Sequence, residues 1–381
     1  MSVKWYFAIS EISLSRENSD WPGLIRAAVR SARMNTTLKP HMLYNGEPNE
    51  FTNEIANLGV TIVPHRVSFY DALLSEKEKN PNFDLLSWSG AHLRIEIPLI
   101  EKQDEIVLYT DCDVMFLKDP ALPYLPKYFA AAPEESRTDY RGINTGVMLM
   151  NVPMLRNDLP AFTAFARQEI AAGRPSDQTM YNEFYRDRWD RLDIALNWKP
   201  YWGAEPEAQI VHWHGPKPSW VHYYLEFPKY HLRHMSHWRR LVDMNPDGYR
   251  HYLKVWQQYG ELPSTTPPCI EDIVCTLDAI ENGVARGWAF DPDHPDRPLQ
   301  ITAIVDGEAI GHVECTGHRP DLLQAGHPTE TAGYSISLPA RYFDERPHRL
   351  ELRSTETGTS IMIGGPGGMA LVKEFRGRPP T

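Results

Sequence analysis

The sequence has few cysteines, no long apolar run and no excess of basic side chains. Only four of its 381 residues are cysteines and none are spaced as CxxC, so we expect reduced, buried thiols, not a disulfide framework or a cysteine zinc site. No apolar run approaches the ~20 residues that a membrane-spanning helix needs. The net charge is -11, from 39 Lys and Arg against 50 Asp and Glu. This argues against nucleic-acid binding, which needs a basic face.

The amino terminus lacks the features of a secretory signal. The segment MSVKWYFAIS has neither an apolar core of signal-peptide length nor a small-residue cleavage site. We therefore predict that it forms the first strand of the fold and that the protein is cytoplasmic.

Strand and helix patterns alternate from residue 1 to about 260. Apolar runs predict strands, and apolar residues on one helical face predict the helices between them. The strands are predicted at 3–10, 39–45, 60–67 and 105–110, and the helices after Asp20 as N-cap, at 50–58 and at 85–100. This order predicts an α/β domain over residues 1–260, with a Rossmann-like, mostly parallel sheet covered by helices.

The pattern changes after residue 260. GELPSTTPP has three prolines and no apolar periodicity, so residues 261–268 are predicted to form a linker. Period-two alternation then predicts a small all-β sandwich over 269–358, with a hairpin turn at Asp306-Gly307. Trp288 in this domain could stack on a sugar, although a tryptophan in an alternating strand more often belongs to the core. The glycine-rich residues 359–381 are predicted to form a tail.

A buried strand in EIVLYTDCDVMFLKDP, residues 105–120, leads directly into Asp111 and Asp113. Because side chains alternate along a strand, both carboxylates are expected to point to one side. Open α/β sheets bind ligands at the carboxyl ends of their strands. Two oxygen ligands at that place suit Mg²⁺ or Mn²⁺ bridging a diphosphate, where the metal would neutralise the charge on a departing nucleoside diphosphate.

Two other interpretations of this aspartate pair remain. It could be a solvated turn after a strand. A haloacid-dehalogenase-like phosphatase also carries DxD after a strand, with the first aspartate as nucleophile. That motif usually follows the first strand of its domain, whereas three βα units precede Asp111, so we rank the phosphatase second.

Four other segments accompany the aspartates in a fixed order. They are SGAHLRIEIPLI (89–100), RGINTGVMLMNV (141–152), SDQTMYNEF (176–184) and IVHWHGPKPSW (210–220). Together with the aspartate segment they resemble the glycogenin and bacterial lipopolysaccharide galactosyltransferase family. Members of that family are retaining, metal-dependent glycosyltransferases with a GT-A fold. The resemblance covers about residues 1–260.

The resemblance implies a metal site and a phosphate site. Asp111, Asp113 and His212 would bind Mn²⁺ or Mg²⁺, with Asp111 also near the donor. Gly215 would let the backbone approach the phosphates, and Lys217 would pair with them as a point charge.

The resemblance also implies contacts to the donor and the reaction centre. Arg94 would contact the donor, and Ala8, at the end of the first strand, would lie near the nucleobase. Asn144, Asp177 and Gln178 would line the sugar and the reacting atoms.

Three of these residues also have a structural interpretation. His212 could be a core histidine at the end of an apolar strand. Arg94 could pair only with a surface acid such as Glu96 or Glu101. Asp177 could cap a helix, although Ser176 is the better cap.

The implied chemistry is retention at the anomeric carbon, by same-face attack of the acceptor or through a covalent intermediate. No glutamate in the sequence stands out as a nucleophile, so we favour same-face attack, with Gln178 near the reacting face.

The sequence thus predicts a glycosyltransferase that uses a nucleotide-sugar, with UDP as the favoured nucleotide, and a glycan or glycoconjugate acceptor in bacterial surface polysaccharide assembly. The alternative is a catalytically idle carbohydrate-binding or scaffold protein. The β-sandwich resembles domains attached to bacterial glycosyltransferases, and it could bind acceptor glycan, mediate self-association or shield an edge strand.

Overall fold

A computed structural model describes residues 3–14, 20–80, 83–122, 124–226, 236–262, 273–292, 294–356, 358–364, 370 and 372–377. The chain divides into two compact units, residues 1–222 with 240–262 and residues 223–239 with 263–381. Most of the predicted linker, residues 263–268, lies outside the described residues, so the linker stays a prediction.

The first unit contains the alternating strands and helices expected from the sequence. Its strands are β1 (Lys4–Ser10), β2 (Lys39–Asn45), β3 (Thr61–Pro64), β4 (Ile106–Thr110), β5 (Val114–Phe116), β6 (Phe129–Pro133), β7 (Ile143–Asn151), β8 (Asp190–Arg191) and β9 (Ile210–His212). The helices up to residue 262 are α1 (Glu11–Leu14), α2 (Trp21–Asn35), α3 (Glu50–Asn57), α4 (Tyr70–Lys79), α5 (Leu85–Ala91), α6 (Ile97–Ile100), α7 (Val152–Ala171), α8 (Asp177–Phe184), α9 (Pro218–Glu226), α10 (Ser236–Met244) and α11 (Pro246–Trp256). Short 3₁₀ turns cover His92–Glu96, Ile194–Asn197 and Pro200–Trp202.

Seven strands form one sheet in the order β3-β2-β1-β4-β7-β6-β8. The pairs are parallel except that β7 runs antiparallel to both β4 and β6. The prediction of a mostly parallel α/β sheet is confirmed. Because β7 is reversed, its first residues lie beside the last residues of β4 and β6. We call this edge, where β1, β4 and β6 end and β7 begins, the site edge.

The sheet is buried on both faces. In β1, Tyr6 belongs to the hydrophobic cluster on one face, whereas Trp5 and Phe7 belong to the cluster on the other. All nine residues of β7 are buried, as a central strand covered on both sides requires. Its sequence, INTGVMLMN, is polar at the first residues, which lie at the site edge.

Helix caps follow the sequence signals. The Asp20 carboxylate accepts from the backbone N–H of Gly23 at 2.8 Å and caps α2 as predicted. The Ser176 hydroxyl accepts from the N–H of Thr179 at 3.2 Å and caps α8. The cap is therefore Ser176, which leaves the Asp177 carboxylate for other contacts.

The second unit contains two antiparallel sheets. Its strands are β10 (Val274–Glu281), β11 (Val284–Phe290), β12 (Gln300–Val305), β13 (Glu308–Glu314), β14 (Gly317–His318), β15 (Thr331–Ser337), β16 (Pro347–Ser354), β17 (Ile363–Gly364) and β18 (Val372–Arg376), with α12 (Pro320–Gln324) and a 3₁₀ turn at Ala340–Tyr342. The sheet orders are β14-β15-β11-β10-β17 and β13-β12-β16-β18, in which β17 alone pairs in parallel. The predicted hairpin turn is present, with φ of 52° at Asp306 and 83° at Gly307.

The structure corrects the prediction for residues 359–381. Its described residues, 359–364, 370 and 372–377, do not form a tail, since β17 pairs with β10 and β18 pairs with β16. Its apolar residues are few, but Ile361, Ile363 and Phe375 are buried in the sandwich core. The glycine content concealed this contribution.

Trp288 is also a core residue. Its ring is only 9% exposed and stacks on Phe290 at 5.9 Å between centroids. The core interpretation is therefore confirmed, and the indole face does not form an open sugar platform.

No helix in the described part of the chain is long and apolar enough to cross a membrane.

Candidate metal and donor site

The two aspartates lie at the site edge, in the turn between β4 and β5. The N–H of Asp111 donates to the carbonyl of Gly146 at 2.7 Å, which extends the β4–β7 ladder by one bond. Asp113 directly precedes Val114, which pairs with His212 in the small β5–β9 sheet. The expected reason for their proximity, alternation along a strand, is wrong, because a turn carries them. The pairing of β5 with β9 adds His212.

Asp111, Asp113 and His212 converge. One ligand atom from each lies within 4.8 Å of the others. His212 Nε2 is 3.4 Å from Asp113 Oδ1 and 3.9 Å from Asp111 Oδ2. Asp113 Oδ1 is buried and has no hydrogen-bond partner among the described residues. A buried carboxylate oxygen of this kind calls for a cation, so these residues fit a divalent metal ion.

Asn197 holds the other side of the imidazole. His212 Nδ1 lies 3.0 Å from Asn197 Oδ1, and Asn197 ends the 3₁₀ turn Ile194–Asn197. The backbone N–H of His212 donates to Trp198 O at 2.7 Å. The imidazole is therefore fixed both by its strand and by a buried amide.

Gly146 makes room for the imidazole. A Cβ at this position would lie 2.2 Å from His212 Cε1 and 2.9 Å from Asp111 Oδ2. Real Cβ atoms essentially never approach this closely, so glycine is required here for close approach and not for its backbone conformation.

Arg94 connects the metal carboxylates to α8. Its Nη2 donates to Asp111 Oδ1 at 2.6 Å, and its Nε lies 2.9 Å from Asp177 Oδ2. Its Nη1 donates to the carbonyl of Thr145 at 2.7 Å. Burial alone would lower the pKa of Arg94, but the two carboxylates raise it above its usual value.

The alternative that Arg94 pairs only with Glu96 or Glu101 is wrong. The Glu96 carboxylate contacts His65 and Ser68, and the Glu101 carboxylate pairs with Lys4.

Lys217 donates to Asp113 and, at 3.0 Å, to the carbonyl of Trp213. Burial alone would raise the pKa of Asp113, but the adjacent Lys217 ammonium holds it well below its usual range. The ion pair with Lys217 keeps Asp113 ionised, and a carboxylate must be ionised to bind a metal.

Gln178, Asn144 and Glu134 form a polar group beside this site. Gln178 Nε2 donates to Glu134 Oε1 at 2.9 Å, and Asn144 Nδ2 donates to Gln178 Oε1 at 3.1 Å. Glu134 directly follows β6 and so reaches the site edge. The structure therefore does place a glutamate beside Gln178, although no sequence signal singled it out.

Ala8 does not lie at the end of the first strand, as predicted, whereas Gly215 has a backbone conformation that suits its predicted role. Ala8 lies within β1, two residues before its end, and packs against a core cluster. Ser10 ends the strand and lines a cleft of about 440 Å³ with Tyr44 and His65 at the same edge. Gly215 has φ of 84°, a backbone conformation that favours glycine.

Sequence reasoning missed three residues of this site: Glu134, Gly146 and Asn197. Gly146 stands within the segment INTG, where a glycine in a buried strand signals close approach. Glu134 and Asn197 carry no local signal, because each acts through a partner that is distant in sequence.

The solved structures that resemble this chain include glycosyltransferases. The apo form of GlyE from Streptococcus pneumoniae is 17% identical, covers 70% of this chain and 66% of that chain, and has a TM-score of 0.43. The galactosyltransferase LgtC, in complex with donor and acceptor sugar analogues, is 15% identical over 69% of this chain and 98% of that chain, with a TM-score of 0.45. Mouse xyloside xylosyltransferase 1 is 14% identical over 55% and 97%, with a TM-score of 0.38. The chain thus spans just under two thirds of the length of GlyE. No protein-family model and no curated protein matches the sequence.

Proposed function

We propose that this chain is a metal-dependent glycosyltransferase that moves a sugar from a nucleotide-sugar, with UDP as the nucleotide, to a glycan or glycoconjugate acceptor. The observation that carries the proposal is the convergence of Asp111, Asp113 and His212 at the carboxyl edge of a mostly parallel sheet. The motif resemblance implies bacterial surface polysaccharide assembly as the process.

Asp111, Asp113 and His212 would hold Mn²⁺ or Mg²⁺. When bound, the metal supplies a positive charge that stabilises the departing diphosphate. The two carboxylates and the imidazole carry one buried acceptor without a partner among the described residues, which supports a cation at this point. Lys217 and the backbone at Gly215 bind the phosphates. An ammonium has three N–H donors, so Lys217 can bind a phosphate oxygen while it donates to Asp113 and to the carbonyl of Trp213.

The base and ribose of the donor occupy the cleft beyond the ends of β1 and β2. Ser10, Tyr44 and His65 line it and offer hydrogen-bonding groups beside aromatic surface. Ala8 lies in β1 behind this cleft. Its backbone carbonyl accepts from the Cys112 thiol at 3.3 Å.

Gln178, Asn144 and Asp177 line the reaction centre. Arg94 holds Asp177, and Glu134 holds the amide of Gln178. An amide is a poor nucleophile, so Gln178 orients the sugar, the acceptor attacks the face from which the phosphate departs, and a phosphate oxygen takes the acceptor proton. This route gives retention without a covalent intermediate. Trapping of a glycosyl group on Glu134 would instead favour the covalent route.

The catalytic part of the chain is residues 1–260, joined by the linker at 261–268 to the β-sandwich. All proposed metal, donor and reaction-centre residues lie before residue 220. The sandwich then serves acceptor binding or self-association, and its removal should leave donor hydrolysis intact.

The test is nucleotide release from a panel of nucleotide-sugars, with and without Mn²⁺. We expect Mn²⁺-dependent release from a UDP-sugar, loss of release in Asp113→Asn, and normal release in Asp119→Asn. Asp119 is a suitable control because its carboxylate accepts from Thr37 at the surface. An idle binding protein would bind donor without release. Equal release by Asp113→Asn and wild type would refute the metal site.

A further inference from the structure

Three amide side chains connect the reaction centre to the metal-binding imidazole. Asn197 Nδ2 lies 3.0 Å from Asn144 Oδ1, and Asn144 Nδ2 lies 3.1 Å from Gln178 Oε1. At the other end, Asn197 Oδ1 lies 3.0 Å from His212 Nδ1. Asn197 is fully buried, and Asn144 and His212 are nearly so, so water is not at hand to replace a lost partner.

Backbone N–H groups fix the orientation of the Gln178 and Asn144 amides. The N–H of Thr145 donates to Gln178 Oε1 at 3.1 Å, and the N–H of Gly146 donates to Asn144 Oδ1 at 3.2 Å. A backbone N–H can only donate, so these contacts identify the oxygen of each amide. The two N–H groups stand at the start of β7, where the strand is fixed by its pairing with β4 and β6.

The orientation of the Asn144 amide in turn fixes that of Asn197. Because Asn144 Oδ1 is an acceptor, Asn197 must turn its Nδ2 toward it. The Asn197 oxygen then faces His212 Nδ1, and an oxygen can only accept. The proton of a neutral imidazole is therefore held on Nδ1, and the lone pair of Nε2 faces Asp113.

We propose that Asn197 is a positioning residue that selects the metal-binding tautomer of His212. The assignment rests on the metal site of the proposed function. A metal-bound histidine commonly donates its other N–H to a fixed acceptor, which orients the ring and strengthens it as a ligand. Here the acceptor is an amide whose own orientation is set by β7.

The experiment compares Asn197→Leu, which removes both the acceptor for His212 and the donor to Asn144, with Asn197→Asp, which keeps the acceptor and removes only the donor. Each full-length variant is titrated with Co²⁺ and with Mg²⁺ by calorimetry. Imidazole contributes more to Co²⁺ binding than to Mg²⁺ binding, because Mg²⁺ prefers oxygen ligands. We expect Asn197→Leu to lose about 10- to 100-fold in Co²⁺ affinity, with little change for Mg²⁺. Asn197→Asp should retain Co²⁺ affinity.

Asn182→Leu is the matched control. Its amide bonds to the backbone of Ile143 and to the backbone carbonyl of Gln178. Asn182 therefore lies beside the three linked amides and is not one of them. We expect unchanged affinity for both metals. Equal losses of Co²⁺ and Mg²⁺ in Asn197→Leu would show a local collapse and overturn the assignment, as would unchanged Co²⁺ affinity. Failure of the wild type to bind either metal would overturn the metal site of the proposed function itself.

Discussion

Gly146→Ala should disable the metal site while all three proposed ligands stay in place in the sequence. The new Cβ would lie 2.2 Å from His212 Cε1, and ordinary contact begins at 3.4 Å. The imidazole would have to withdraw by about 1.2 Å. Its ring is 2% exposed and its strand is paired with β5, so it has no free space in which to move without leaving the carboxylates.

A shift of this size is far larger than the ~0.2 Å by which metal–ligand distances vary. We therefore expect Mn²⁺ affinity, measured by calorimetry, to fall by at least about 100-fold, beyond the usual cost of disturbing an outer partner. Turnover of donor should fall by a similar factor, since a displacement of ~1 Å near the chemistry costs about 10².

Gly142→Ala is the matched control, because a Cβ at Gly142 meets nothing within 4 Å. Both variants should melt cooperatively, as followed by circular dichroism. Unchanged Mn²⁺ affinity in a folded Gly146→Ala protein would refute the argument from close approach. A comparable loss in Gly142→Ala would show that the segment as a whole, and not the space beside His212, determines binding.

Two other predictions concern single side chains. Gln178→Ala should lower kcat far more than donor affinity, because its amide lies at the proposed reaction centre; steady-state kinetics that show only a raised KM would contradict this. His348→Gln should destabilise the protein mainly at acid pH. The hydrogen bond with Asp306, opposed by burial and helped by Asp344, raises the pKa of His348. This stabilisation is complete below the unfolded pKa of about 6.5 and is lost as pH rises through the higher folded pKa. The urea midpoints of wild type and variant should therefore differ more below pH ~6 than above pH ~8, and a constant difference would exclude the proposed linkage.

Local sequence patterns were sufficient to predict many of the strands and helices of the first unit. The apolar runs that become β1 and β4 are buried on both faces, so most residues in them had to be apolar. The Asp20 cap and the Asp306-Gly307 turn are likewise local, because each depends on contacts within a few residues. The prediction of a tail is wrong for the described part of 359–381, because the few buried side chains there stand in a glycine-rich sequence.

The sequence by itself determined where a strand ends in two carboxylates, and a resemblance across five segments added His212 as their partner. Only the tertiary structure decided what surrounds that partner. The reversal of β7 brings Gly146 against His212, and the 3₁₀ turn Ile194–Asn197 brings Asn197 to the other side of the imidazole. Neither neighbour could be predicted from a local pattern, because hydrogen bonds and close contacts between distant segments depend on strand order and direction, which adjacent residues do not specify.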